Sequence, residues 1–311
     1  MTIEICVQTM RGYQDTLTIA RWCEVEGVPV LAVADHYLSG PDLGSEGFDQ
    51  LVLLGGIARE TTTLELCTLV SPLTFRHPAV HLKAAVTLDQ MSSGRFSLGI
   101  GTGWMELEHE AFGFELPPMD ERFDRLEESL SYVRAGIDGT GTGFDGTHYR
   151  LSPFDPQPRP TRLRLIVGGG GPRRTPELAA RFADEFNVFP SRTSPASERI
   201  QTFREAALGT GRDPDSVLLS TAFPGAIALD AEGATSLLRQ RAERTKTTPE
   251  EVASILDRMK IPHGTPDRAA PGIASLAEAG ISRIYLQLSA SPPGEIGRAV
   301  AAARRAVDLA T

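Results

Sequence analysis

Arg164-Leu-Ile-Val-Gly-Gly-Gly-Gly-Pro-Arg-Arg-Thr-Pro-Glu177 reads as a buried strand, four glycines, two arginines and the start of a helix. Glycine removes the side chain, so backbone N–H groups can close on a ligand. A helix N-terminus adds partial positive charge, and Arg173 and Arg174 add two full charges. Together these make a site for an anion, most simply a phosphate. The competing reading is a flexible surface loop with two solvated arginines, and the stretch alone does not choose. What lies on either side of it does.

Apolar runs with strand character occur at Ile3–Thr9, Val30–Ala34, Leu64–Val70, Phe96–Ile100, Leu163–Val167, Phe186–Phe189, within Val217–Leu229, and at Arg283–Leu288. Helical periodicity marks Tyr13–Glu26, Phe48–Arg59, Pro78–Met91, Glu106–Phe114, Glu121–Ile137, Glu177–Asp184, Pro195–Leu208, Ala231–Arg244, Pro249–Met259, Thr265–Ala279 and Glu295–Leu309. Val30-Leu-Ala-Val-Ala34 is apolar without alternation, as a strand covered on both faces must be. Thr175-Pro176, Ser194-Pro195, Thr248-Pro249 and Thr265-Pro266 read as N-caps followed by a preset first helical residue, and Thr248 with Glu251 fits a capping box.

Eight β segments alternating with helices predict parallel βα units. The count matches a (β/α)8 TIM barrel, which needs about 250 residues before insertions. The surplus falls after strand four (104–160) and after strand seven (230–264). The first insertion includes the Gly- and Pro-rich Thr140–Pro160, with a short hairpin at His148–Leu151. A doubly wound open sheet is the alternative. The barrel is favoured because the eighth unit falls at the C-terminus, where it can close on the first. One domain over 1–311 is expected.

The net charge of -9 argues against a nucleic-acid surface, which needs clustered positive charge. No run approaches the roughly 18 apolar residues of a membrane span. Met1-Thr-Ile-Glu-Ile-Cys6 lacks a basic segment followed by an apolar one, so a cytoplasmic location is expected. Cys6, Cys23 and Cys67 are odd in number and lack metal-type spacing, as reduced, partly buried thiols do.

In a barrel, ligands sit at the C-terminal ends of the strands. Strand two ends in Asp35-His36, strand three in Val70-Ser-Pro-Leu-Thr-Phe-Arg-His77, strand four in Gly99-Ile-Gly-Thr-Gly-Trp104 and strand five in the glycine run, while strand eight contributes Gln287 and Ser289. His36 is a candidate general acid/base, against a histidine merely hydrogen-bonded at a strand end. Trp104 suits stacking on a flat ring, against an aromatic that covers the rim. His77 and His81 have metal-like i, i+4 spacing with no third ligand apparent, and His109-Glu110 lacks the second histidine of a zincin, so no metal is expected. His148 and His263 read as solvated loop residues. Gly99-x-Gly101 has Trp104 where a dinucleotide fingerprint needs its third glycine, and the glycine run lacks the Gly-Lys-Ser/Thr of a P-loop.

Ala34-Asp-His-Tyr-Leu38, Leu69–Pro78, Leu88–Trp104, and Val167–Thr175 with Ala183–Asn187 resemble, in this order, the bacterial-luciferase-like superfamily. The group they are most similar to is the oxidoreductases that use the deazaflavin coenzyme F420; other members use FMN. The resemblance implies a (β/α)8 barrel with an insertion. It implies Asp35 at the cofactor and His36 beside its reactive ring, with Leu69-Val70 as a non-proline cis peptide backing that ring. Thr102 and Gly103 would touch the cofactor, and Gly170, Gly171, Arg173 and Arg174 would hold its phosphate. Relatives of this kind are often homodimers. Sugar-phosphate dehydrogenases of the group have a catalytic Glu where this chain has Trp104, which argues against a sugar phosphate as substrate.

The leading expectation is therefore a deazaflavin-dependent oxidoreductase passing a hydride to or from a small organic substrate. An FMN-dependent monooxygenase supplied with reduced flavin is the second, and a non-catalytic cofactor-binding barrel the third. The substrate pocket is expected from 38–48, 104–120 and the 230–264 insertion.

Overall fold

The computed structural model describes residues 3–40, 43–139, 143–153, 155, 157–289, 291 and 293–311. The parts of the sequence reading that fall on Met1 and Thr2, on residues 41 and 42 of the expected pocket wall, and on 140–142, 154 and 156 of the first insertion lie outside the described residues.

Eight strands close a parallel barrel: β1 (Glu4–Thr9), β2 (Val30–Val33), β3 (Glu65–Thr68), β5 (Phe96–Gly101), β8 (Arg164–Gly169), β9 (Glu185–Val188), β10 (Leu218–Pro224) and β11 (Arg283–Gln287). Each pairs with the next in that order, β3 pairing directly with β5, and β11 returns to β1 with Ile5 opposite Ile284. A two-residue strand, β4 (Ser71–Pro72), continues the line of β3 and also pairs with β5. The expected third strand, Leu64–Val70, is thus shorter and interrupted: Leu69-Val70 is a cis peptide, and the chain resumes pairing beyond it. The seventh strand stops at Pro224, well short of Leu229.

The helices are α1 (Tyr13–Val25), α2 (Gln50–Glu60), α3 (Pro78–Met91), α4 (Glu106–Phe112), α5 (Met119–Asp138), α6 (Arg174–Phe182), α7 (Ala196–Gly209), α8 (Ala231–Thr245), α9 (Pro249–Arg258), α10 (Pro266–Glu278) and α11 (Pro293–Ala310). The first insertion carries an antiparallel pair, β6 (Phe144–Asp145) with β7 (Arg150–Leu151). No described helix is long and apolar enough to cross a membrane.

Period-two alternation assigns the strand faces. Leu31, Val33, Leu66, Leu98, Leu165, Val167, Phe186 and Leu286 point outward into one large core shared with the helices. Val30, Ala32, Cys6, Cys67, Ile166, Ala222 and Tyr285 point inward to fill the barrel. Both sets are buried, which explains runs that are apolar throughout. The inner face also holds a polar layer the sequence reading did not single out. Arg283 bonds Glu185 at 3.0 Å and Glu4 at 2.8 Å, and the Tyr285 hydroxyl donates to Glu185 at 3.0 Å.

The helix signals hold in part. Thr248 and Glu251 form the capping box at α9, and Asp49 caps α2 through the Val52 amide. Two N-cap readings are corrected. Helix α6 begins at Arg174, so Thr175 lies inside its first turn, and α7 is entered through Pro195 rather than Ser194. His263 is corrected as well: it is buried, bonded to the Ile261 carbonyl at 2.9 Å and beside Arg268 at 3.1 Å. Two ring nitrogens within reach of local partners account for its burial.

Candidate active site

The C-terminal ends of β1, β2, β5, β10 and β11, with α8, enclose a mouth of about 770 Å³ lined by His36, Trp104, Gln8, Gln287, Arg241 and Arg244 among others. Trp104 is 67% exposed and meets His36 edge to face, ring centroids 5.8 Å apart. It stands at the rim beside the candidate base.

His36 is fixed by a residue that sequence reasoning missed. Glu108 on α4 accepts from the Tyr37 amide at 2.6 Å and the Leu38 amide at 3.0 Å, and its second oxygen lies 3.2 Å from His36 Nδ1. Burial alone pushes this carboxyl up. The hydrogen bond and charge of His36 and the two amides together outweigh it and hold the group below its usual range. An ionised carboxylate only accepts, so Nδ1 carries the proton of neutral His36 and Nε2 is left for the mouth. No period in Glu106-Leu-Glu-His-Glu110 marks the middle glutamate; only the fold aims it inward.

Asp35 is fully buried, and its carboxylate is taken by Arg76 Nη1 at 2.5 Å and the Ser71 hydroxyl. Arg76 also reaches Asp49 at 2.7 Å. Since Ser71 donates to Asp35, His81 Nε2–H donates to Ser71 Oγ at 3.0 Å, and His81 Nδ1 is a buried acceptor without a partner. His81 therefore belongs to this charged network as a neutral imidazole, while His77 caps α3 through Nδ1. His109, likewise, bonds Thr74 at 2.7 Å and the Met105 carbonyl at 2.8 Å.

Leu69-Val70 crosses the barrel wall next to this network. Gln8 donates to the Leu69 carbonyl at 2.5 Å, and Gln8 Oε1 is buried without a partner. Val70 is set in a recess of glycines: a Cβ on Gly101 would lie 2.7 Å from Val70 Cγ2, and one on Gly168 2.9 Å from its Cγ1. Thr102 and Gly103 follow directly, Gly103 at φ +75°, where any side chain is strained.

The glycine run leads straight into α6. The first-turn amides of Arg174 and Thr175 have no intrahelical partner, and Pro176 has none to offer. A Cβ on Gly171 would stand 2.6 Å from Thr175 Oγ1 and 3.3 Å from Phe123, so the cradle is open only because glycine is there. The arginines are less free than the sequence suggests. Arg173 pairs with Glu177 at 2.9 Å on an open face, and Arg174 pairs with Asp124 at 2.6 Å over the Phe123 ring.

The model for luciferase-like monooxygenases matches residues 3–306. The chain belongs to that family. Among curated relatives, an F420-dependent glucose-6-phosphate dehydrogenase of Amycolatopsis mediterranei is 26% identical over 302 residues, 88% of each chain. The pyrimidine monooxygenase RutA of Enterobacter cloacae is 30% identical over 181 residues, 55% of this chain and 48% of that one. Among solved structures, an F420-dependent secondary alcohol dehydrogenase in complex with an F420–acetone adduct superposes with a TM-score of 0.79 at 19% identity over all of both chains; at that identity the likeness speaks for the fold.

Proposed function

We propose that the protein is an oxidoreductase that uses coenzyme F420 to transfer a hydride to or from a small organic substrate in the barrel mouth. One observation carries this reading. A histidine with a fixed tautomer, a Leu69-Val70 step whose Val70 side chain sinks against glycines, and an amide-lined helix start all stand at the strand ends of one barrel. Gly101 and Gly168 make room for the Val70 side chain, so the Leu69-Val70 step can offer its outer surface as a seat for a flat ring, with the buried, unpartnered Gln8 Oε1 close to that step. The Amycolatopsis relative supports F420 as the cofactor.

In this reading Leu69, Val70, Thr102 and Gly103 contact the ring, and Asp35 supports it from within the Arg76 network. Gly170 and Gly171 present amides to the phosphate, with Arg173 and Arg174 adding charge once they leave their carboxylate partners. When bound, the deazaflavin supplies a two-electron hydride acceptor or donor. The chain's own part is orientation and proton handling. His36 Nε2 takes the proton from a substrate hydroxyl in one direction and returns it in the other, while Glu108 holds the ring. Trp104 closes one wall beside His36 and excludes water.

The alternative is a monooxygenase working with reduced FMN; the RutA relative, over its shorter match, favours the monooxygenase part of it. Activity separates the two. Anaerobic bleaching of F420 by an alcohol panel is expected, lowered about 10²- to 10⁴-fold by His36→Ala. Oxygen uptake with reduced FMN and no F420 turnover would replace this reading by the alternative.

A further inference from the structure

On the flank of the barrel, a cleft of about 520 Å³ opens between α7 and α10, floored by the outward faces of β9 and β10 at Val188, Thr221 and Phe223. It is not the mouth, since these three side chains point away from the barrel axis. Five cationic side chains line it, Arg192, Arg199, Arg258, Lys260 and Arg268, against the single carboxylate of Asp257. In a chain of net charge -9 this is a local reversal of sign. Asp257 is shared between Arg268 at 3.4 Å and His263 at 3.6 Å. Among the described residues, Arg192, Arg199, Arg258 and Lys260 make no ion pair.

Arg199 is the unusual member. It is 1% exposed, and only Nη1 is used, donating to the carbonyls of Phe189 at 2.6 Å and Gly169 at 3.3 Å. Nε and Nη2 are buried and have no partner. These two N–H groups form one edge of the guanidinium, the edge that meets a carboxylate or phosphate side-on with two parallel bonds. Burial pulls this arginine down to about 10, as expected of a cation without a counter-charge. It stands in the first turn of α7, whose N-terminus has no side-chain cap and leaves its opening amides unfilled.

We propose that this cleft is an oxoanion site, in which a carboxylate or phosphate seats on the Arg199 fork and the α7 N-terminus, with Arg192 and Arg268 at the rim. Because solvent does not reach the fork, seating includes a shift of the side chains that cover it. The anion is either a free metabolite or an acidic group on the tail of the cofactor. The second source rests on the function proposed above, and the geometry allows it: Ser191 of the cleft faces Gly170 of the phosphate cradle, where a Cβ would lie 3.8 Å away.

The test is calorimetric titration of inorganic phosphate and of citrate at fixed ionic strength. It uses the Arg173→Gln/Arg174→Gln protein, in which the cradle keeps its amides but loses its charge, and the Arg199 and rim variants in that background report the cleft. Saturable binding is expected, weakened at least tenfold by Arg199→Met and several-fold by Arg192→Gln/Arg268→Gln, which stays folded if the buried substitution does not. No saturable binding of either anion, or equal affinity in the rim variant and in any folded Arg199→Met, overturns the proposal. A further arm compares full-length F420 with its tail-less chromophore. Citrate competing only with the former identifies the tail as the source, and citrate binding without competition identifies a free anion. Because the phosphate arm needs no cofactor, failure of the F420 reading leaves it intact.

Discussion

Glu108→Gln is the most informative single change in the active site. The native carboxylate makes three hydrogen bonds, at 2.6, 3.0 and 3.2 Å, from Tyr37 N, Leu38 N and His36 Nδ1. A glutamine of the same shape can keep its oxygen on the two backbone amides. Its NH2 group then faces His36, which must accept at Nδ1 and carry its proton on Nε2. The substitution therefore inverts the tautomer without removing the ring. Hydrogen bonds to a charged group contribute about 1.5–3 kcal/mol each and neutral ones about half that, so a loss of about 2–4 kcal/mol of stability is expected. Glu108→Ala strands two backbone amides and an imidazole N–H and costs about 3–6 kcal/mol, a large share of a typical 5–15 kcal/mol. Denaturant midpoints measure the stabilities, and nitrogen-15 spectra of the His36 ring report the tautomer directly. Substrate oxidation needs a free Nε2 and should fall about 10²-fold or more in Glu108→Gln, with cofactor affinity kept. A folded Glu108→Gln protein that retains the Nδ1–H tautomer and full turnover would refute the reasoning.

Two further outcomes concern the buried polar groups. Burial, then the charge of Arg76, pull His81 down to about 3. The unfolded imidazole titrates near 6.5, so this stability is complete above that pH and is lost as the pH falls. The loss should reach about 2 kcal/mol between pH 6.5 and 5, and urea midpoints at pH 7 and 5 should show a shallower loss in His81→Gln; equal slopes would contradict it. Arg283→Met strands the buried Glu185 carboxylate and should cost about 3–5 kcal/mol, with partial recovery in Arg283→Met/Glu185→Gln, both read by thermal denaturation.

Much of the barrel was legible in the sequence because its strands are buried on both faces and are punctuated by caps and glycines. The break in the third strand was not legible from pattern. Leu69-Val70 is as apolar as the strand it interrupts, and only the family resemblance pointed to a cis bond there. Of the site, His36 and the glycine run were legible from their positions after strands. Glu108, Gln8 and the Arg76 network were not, because each acts through a partner about 30 to 70 residues away in sequence. Arg173 and Arg174 were visible as charge, but their pairing with Glu177 and Asp124 appears only when α5 and α6 come together. His263 was misread because its loop looks polar, while the fold buries it under α10.

The central claim is that the mouth and glycine cradle hold a deazaflavin. Parallel fluorescence titrations with coenzyme F420 and FMN test it most directly. The account predicts saturable F420 binding at least tenfold tighter than FMN, a gap of about 1.4 kcal/mol, weakened several-fold by Arg173→Ala/Arg174→Ala. Tighter binding of FMN, or no F420 binding by the intact protein, would contradict it.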